Sequence, residues 1–403
     1  MATNHPNFQL FSFVEESTLG TTPTSALQLS NIGATPTIQR DRQSVAPSYT
    51  TANSLLPFKS IVLMDDGTVT VPTTPLQYEN LYLFHEGVMG GDRVSVAEVT
   101  GTDFSVSTNV LAQVAAGLGS LAVGDCIHVT FGTPSDGTTG WYGPLLAAAA
   151  ASVTLPANQL ADFTAGNTVT VDDAKRLVPG NTLKGYSIEH QLTNLTTFFR
   201  ASKYSIPTSW TFNWASGANF ATEEGAFFGK PQAKAAATVG TGSATAALTT
   251  DPMNSGTGVG TVYLAEATTD LYATATIADL SITFARDDGK APGLGSNSFS
   301  VAALGELSVT GTMTMVLDDG TAAIIDEFED NDSLWLRWDI VDGQSNRMCF
   351  FASAIALTAR SESDANNMMH QQFTFASHDP LKESGWVNNI AGMPMCGIHY
   401  MPV

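Results

Sequence analysis

The sequence predicts an all-β fold, a β-sandwich or barrel with little helix and a small β module inserted into it. Three observations carry this. Apolar residues recur at every second position, as in Leu334, Leu336, Trp338 and Ile340 of "SLWLRWDIV", and a period of two is strand geometry. Asp-Gly turns bound such runs at Asp318-Asp319-Gly320 and Asp342-Gly343, the chemistry of antiparallel connections. Between about residues 92 and 176, short strands separated by Gly, Pro, Asn and Asp replace longer ones, the pattern of a small barrel or sandwich. The expected organisation is one discontinuous domain, 1–91 and 177–403, interrupted by a module at 92–176.

Taken in order, the chain opens with an extended arm up to about Thr22. "FKSIVLMDDGTVTVP" puts Asp65-Asp66-Gly67 between two alternating runs, which predicts a hairpin there. In "LQYENLYLFHEGVM", Leu76, Leu81, Leu83 or Phe84, and Val88 have helical spacing. Within the module, "GPLLAAAAASVTLP" is bounded by Pro144 and Pro156 and runs into the β-like "SVTL", so it is read as strand. From Arg176 to Lys230 longer strands return, including Trp210, Phe212 and Trp214 at alternate positions of a buried sheet face. Residues 234–270 are rich in Ala, Gly, Thr and Ser and carry too few large apolar groups for a core of their own, which predicts a surface loop. "LSVTGTMTMVL", with Leu307, Val309, Met313, Met315 and Leu317, starts a unit of strand, short helix and two more strands. Its helix is "TAAIIDEF", with Ile324, Ile325 and Phe328 on one side. A tail from about Asp379 to Val403 has little periodicity.

Composition narrows the function. Lys and Arg number 17 against 38 Asp and Glu, for a formal net charge of -21. A conventional nucleic-acid binder needs a basic stripe to displace counterions, so this balance argues against one. Charged residues make up only 14%, below the roughly 25% of ordinary soluble domains, and an uncharged polar surface suits packing against other subunits. Cys126, Cys349 and Cys396 are odd in number and form no C-x-x-C pair, which argues against a disulfide framework and a zinc cluster. The N-terminus has neither a basic start nor a long apolar run, and no window approaches ~20 apolar residues. The expectation is a protein of a reducing cytosol with no membrane segment.

No motif points to catalysis. "GTGVGT" around Gly256 lacks the preceding strand and the Lys-Ser/Thr of a phosphate loop. No G-x-S-x-G elbow occurs. His85 beside Glu86, and His128 near Cys126, have no partners at metal spacing. The acidic run Asp326–Asp332 lacks the Gly and closing Glu of a calcium loop. Asn194-Leu195-Thr196 and Asn331-Asp332-Ser333 match glycosylation acceptors, which are chance matches without a secretion signal. No catalytic residue, metal, cofactor or nucleotide is expected.

Several segments, in order, resemble the tail tube protein (major tail protein) of long-tailed bacteriophages with flexible tails. "EESTLGTTPTSALQLSNIG" is similar to that family's "G…GTTP" opening. "PGNTLKGYSIEHQLTNLTTFFRASKYSIPTSWTFNWASGANFATEEGAFFGK" resembles its central block. "VTGTMTMVLDDGTAAIIDEFEDNDSLWLRWDIVDGQSNRMCFFASAIALTARS" resembles its closing strand, helix and hairpin. The region with "VGDCIHVTF" and "GWYGPLL" looks like the small β module inserted in many such proteins. The chain departs from the family at "SIPTSWTFNW", where a Gly-containing patch is common, and in the Ala/Gly/Thr-rich extension.

The resemblance implies a structural virion protein: an all-β tube domain with one short helix, stacked in rings, usually hexameric, into the hollow tail that conducts the genome. It implies assembly in the host cytoplasm, and tape measure and terminator or tip proteins as partners beside the protein itself. Double-stranded DNA, with one charge per roughly 1.7 Å of axis, would pass without adhering to an acidic wall. The expected lumen-facing acids are Glu189 and Asp339, each opposite an apolar strand face. The module is expected outside the tube, and the residues before Thr22 or after Asp379 are expected to cross to a neighbour. The alternative is a secreted β-rich surface-layer or adhesin-like subunit, which low charge and high Thr and Gly content also suit.

Overall fold

The computed structural model describes residues 9–45, 61–131, 141–254, 262–265, 277–292, 299–377 and 394–401, apart from breaks at 96, 157–159, 165, 167, 173–174, 194, 196–197, 216–219, 233, 242, 288, 318, 331–332 and 366–367. The fold is all-β, and its dominant feature is a 16-stranded antiparallel sheet. Along its main path, Gln9–Glu15 leads through Tyr186–Leu192, Phe199–Ala215, Ile277–Arg286, Leu307–Val316 and Met368–Ser377 to Arg347–Ala365, Cys396–Met401 and Lys175–Leu177.

Two long strands make this sheet fork. One edge of Phe199–Ala215 pairs first with Tyr186–Leu192 and then with Ile277–Arg286, while Thr222–Pro231 lies on the other. Arg347–Ala365 likewise joins Cys396–Met401 over its first half and Met368–Ser377 over its second, with Ser333–Val341 opposite the first half. The sheet thereby folds over itself. Phe212 of the first fork packs on Phe350 of the second at 4.9 Å, and Trp214 lies 5.3 Å from Trp338. Trp338 in turn stacks on Phe350 at 4.9 Å and 3°. Period-two spacing put Trp210, Phe212 and Trp214 on one face, and all three are buried.

Helix Tyr82–Met89 fills the space the sheet encloses. Phe84 meets Phe13 at 4.3 Å, Phe227 at 4.9 Å and Tyr186 at 5.1 Å. Gly90 ends the helix in the left-handed region at φ 65°, where glycine carries no Cβ penalty. Arg286 closes the same end: its Nε donates to the Val88 carbonyl at 2.6 Å and its Nη2 to the Met89 carbonyl at 2.5 Å. A cation there satisfies orphan carbonyls and opposes the helix dipole. A second helix, Asp319–Asp330, lays Ile324, Ile325 and Phe328 on the core. Among the described residues there are therefore two α-helices where the resemblance implied one.

Two four-stranded sheets lie apart from the large one. The first joins Trp141–Pro144, Cys126–Phe131, Val169–Val171 and Val99–Gly101. The second joins Ala147–Ala149, Ser152–Thr154, Val110–Gln113 and Phe104–Ser107. They enclose their own cluster, including Phe104, Leu111, Ile127, Val129, Leu145 and Val169. The alanine run forms a hairpin, Ala147–Ala149 against Ser152–Thr154. Val94–Ser95 and Lys175–Leu177 run side by side at the entrance and exit of this unit, and the latter joins the large sheet.

Four expectations need correction. Asp65-Asp66-Gly67 does not turn: Ile61–Pro75 is one continuous strand. Gly67 sits where the strand crosses Gln39 and Pro231, so that a Cβ would lie 2.0 Å from the Gln39 carbonyl oxygen. Asp66 is buried and accepts from the Phe299 backbone at 3.1 Å. The Asp-Gly pattern here serves close packing. The N-terminal arm is partly sheet, since Gln9–Glu15 pairs with Tyr186–Leu192 of the same chain; residues 1–8 lie outside the described set. The aperiodic tail ends in Cys396–Met401, an interior strand buried at every position because both its edges and both its faces are covered. The expected loop at 234–270 is irregular in its first part but anchored. Met253 is fully buried and its backbone bonds Leu76 and Ala221, and Tyr263–Ala265 is a strand on Ser333–Val341.

Candidate functional site

Neither sequence-predicted acid faces solvent in the chain. Glu189 is 3% exposed. It borders a groove of about 220 Å³, but its oxygens are taken by the Thr238 hydroxyl at 2.8 Å and the Val239 backbone N–H at 2.7 Å. Asp339 is 4% exposed. It pairs with Arg347 and lies 3.8 Å from Arg337. Both stand opposite an apolar face, as alternation required. What sequence could not supply was the cover, the 238–240 segment over one and the Arg337 and Arg347 side chains against the other. Neither is retained as a channel-lining residue.

The charged residues that do converge lie along helix Tyr82–Met89, from Glu79 before it to Asp92 and Arg93 beyond it. Lys184 is buried and contacts Asp92 at 2.5 Å and Glu86 at 2.7 Å. Burial opposes its charge, but those carboxylates outweigh it and raise the amine above its ordinary value. Beside it, Glu79 accepts from Arg93 and Lys175, each at 2.7 Å. Burial raises that carboxyl, and the two cations more than offset it, leaving it lowered. This network ties the helix to the strands that enter and leave the small unit.

His85 is inside the core. Its Nδ1 shares a hydrogen bond with the Tyr400 hydroxyl at 2.6 Å, and its Nε2 with Glu223 at 2.7 Å. The same Glu223 oxygen accepts from Trp210 Nε1 at 3.0 Å. The arrangement crosslinks three strands and the helix, and His85, Glu223, Trp210 and Tyr400 are all buried. His128 pairs with Asp172 within the small unit. "GTGVGT" lies outside the described residues. Among the described residues no helix is long and apolar enough to cross a membrane, and no group of three or more His, Cys, Asp or Glu could hold a metal ion. The larger groove, about 610 Å³, is lined by Leu10, Leu29, Asn31, Ile32 and neighbours without a titratable side chain.

The features left for recognition are edges. Among the described residues nothing pairs with the outer side of Thr37–Val45, whose Gln39, Arg40 and Asp41 are exposed. The Arg347–Ala365 strand outruns its Ser333–Val341 neighbour beyond Ala356, and Ser361–Asp364 are exposed. Arg347–Ala365 and Met368–Ser377 form a hairpin, and at its closed end Leu317, Met368 and Met369 are exposed by 41%, 52% and 47%. Period-two spacing assigned Leu317 to the apolar face, but the strand ends at Val316.

No protein-family model and no curated protein matches the chain.

Proposed function

We propose that this chain is a structural subunit that assembles through its strand edges into a hollow tube of the phage-tail type, conducting double-stranded DNA. The observation that supports this most is that, among the described residues, no strand pairs with the outer edge of Thr37–Val45 or with the second edge of Arg347–Ala365 beyond Ala356, both on one continuous sheet. Unpaired edges are templates for strand addition from another chain. They belong to different surfaces, so edge-to-edge contact is heterologous and closes into a ring when the rotation allows. The exposed Leu317, Met368 and Met369 at the hairpin end supply an apolar contact beside one edge.

Charge supports the same reading. Lys184, Arg286 and Arg337 are buried, and Arg176 is spent on Asp125 at 2.8 Å. Among the described residues burial removes more acids, Asp66, Glu86, Asp125, Glu189, Glu223 and Asp339 among them, than cations, yet 38 acids against 17 bases leave the rest of the chain net acidic. A net acidic surface repels DNA over about a Debye length, ~10 Å at ~0.1 M salt. The role is mechanical and non-enzymatic, in a virion tail assembled in the host cytoplasm. Tape measure and terminator proteins would meet the ends of the tube.

Electron microscopy of the purified full-length protein tests this. Rings or tubes are the expected result. Flat arrays would favour the surface-layer alternative, and a persistent monomer would count against both. Met368→Lys with Met369→Lys should abolish tubes while leaving the circular dichroism spectrum unchanged.

A further inference from the structure

Two cysteines distant in sequence meet where the small two-sheet unit docks on the large sheet. Cys126 opens the Cys126–Phe131 strand of the small unit, and Cys349 lies within Arg347–Ala365 of the large sheet. Their Sγ atoms share a hydrogen bond at 3.2 Å, both thiols are free, and both residues are fully buried. The docking layer around them is apolar: Trp335, Phe351 and Met401 from the large sheet, Val123 and Leu146 from the small unit. Two polar groups enter it. Arg337 Nε donates to Cys349 Sγ at 3.4 Å, and His399 Nδ1 accepts the Cys126 backbone N–H at 3.1 Å. The His399 Nε2 atom is buried without a hydrogen-bond partner among the described residues.

We propose that Cys126 and Cys349 are an oxidation site whose disulfide locks the small unit onto the large sheet. The inference rests on this local geometry and holds whatever the assembled chain does. Sequence alone argued against a disulfide framework from the odd count and the lack of a C-x-x-C pair; it could not show that two cysteines 223 residues apart meet. A disulfide needs its sulfurs at about 2.05 Å, so the two must close by roughly a further ångström. Burial pushes both thiols up. At Cys349 the hydrogen bond with Cys126 and the Arg337 guanidinium outweigh burial and bring the thiol below its ordinary value, while Cys126 stays well above it. Cys349 is therefore the attacking sulfur, since the thiolate is the nucleophile.

With hydrogen peroxide as oxidant the steps balance. The Cys349 thiolate attacks one peroxide oxygen, the O–O bond breaks, and hydroxide leaves to take up a proton as water. The sulfenic acid so formed is attacked by the Cys126 sulfur. The S–O bond breaks, a second water leaves with the Cys126 proton, and the S–S bond forms. Two thiols and one peroxide give one disulfide and two waters. Because both sulfurs are buried, the oxidant reaches them only when the docked faces part, so the rate of oxidation reads that opening.

The test uses the reduced full-length protein treated with hydrogen peroxide. Peptide mapping without reductant should recover a Cys126–Cys349 crosslinked pair, with Cys396 still free and the link reversed by dithiothreitol. Burial pushes the Cys396 thiol far up, which makes it the internal control. After oxidation, amide exchange across residues 99–171 should slow by about tenfold or more. Cys126→Ser should abolish the crosslink and leave a dimedone-reactive sulfenic acid at Cys349, which distinguishes a working nucleophile from a misfolded variant. Three thiols still free after peroxide has fully oxidised added glutathione would overturn the proposal. So would crosslinks that join only different chains.

Discussion

The large sheet and the small two-sheet unit bury their cores with different materials. The large sheet relies on rings: Phe84 and Trp210 join Phe212, Trp214, Trp338 and Phe350 through the His85 imidazole in a continuous layer. It also buries Lys184, Glu189, Glu223, Arg286, Arg337 and Asp339. The small unit is filled mainly by Val and Leu around Phe104, and its buried acid, Asp125, reaches across to Arg176 of the large sheet. A sheet of 16 strands that forks twice has many alternative registers. Paired buried charges and indole or imidazole hydrogen bonds penalise every register but one. A unit of two four-stranded sheets needs fewer such pins, and its one buried carboxylate serves attachment.

The sharpest way to break this comparison is to remove a ring from the large core. Trp338→Ala loses the stack on Phe350 and the contact with Trp214, and should cost about 3–5 kcal/mol, measured by urea unfolding. Leu111→Ala in the small core should cost about 2–4 kcal/mol, with faster amide exchange confined to residues 99–171. If both variants lose protection everywhere in one transition, the two regions are a single cooperative unit. Removing the small unit sharpens the point. Val94–Ser95 and Lys175–Leu177 are adjacent, so a short Gly-rich turn can join them. The shortened protein should fold, but should bind a hydrophobic dye through the uncovered Trp335, Phe351 and Met401.

Acid should act at the junction of the two regions. Burial, with Arg176 and Arg337 nearby, lowers His399 from 6.5 to about 3. Between those values the unfolded chain binds a proton that the folded chain does not. Stability therefore falls as pH drops from about 6.5 towards 3 and levels off below. His399→Gln should flatten that limb in urea midpoints taken across the range. Glu79 has a smaller effect of the same sign. Its lowered pKa gives stability that is present above its ordinary 4.5 and lost as pH falls through the folded value, so Glu79→Gln should alter only the limb below about 4.5. Smallest is the half-exposed Arg360–Glu329 pair at 3.4 Å. Arg360→Ala should change stability by no more than about 0.5 kcal/mol.

Alternation read the strands well wherever one face was apolar and the other polar. Val309, Met313 and Met315 are buried as expected, with Ser308 and Thr310 exposed on either side of Val309; Leu334, Leu336, Trp338 and Ile340 are buried too, although there the opposite face is also covered. It misled where both faces are covered. Cys396–Met401 looked aperiodic because every residue in it is buried. Asp-Gly read as a turn at 342–343, where Asp342 accepts the backbone N–H groups of Gln344 and Asn346 at 2.8 Å. The same dipeptide lies in mid-strand at 66–67, because a close crossing also demands a residue without a Cβ. Of the candidate site, Glu189 and Asp339 were legible as off-face acids, whereas the open edges of Thr37–Val45 and Arg347–Ala365 were not. Whether an edge is open depends on which strand stops first, and strand ends are poorly marked in sequence.

By itself the sequence determined the all-β class, the helix at Tyr82–Met89, the second helix with its apolar side, and the acidic surplus, because these follow from local periodicity and counting. Only the tertiary structure decided which acids are buried, which strand edges stay open, and that Cys126 meets Cys349. Those facts depend on contacts between residues up to 223 positions apart, set by how the forked sheet folds over its helix and receives the small unit. No window of neighbouring residues encodes that meeting.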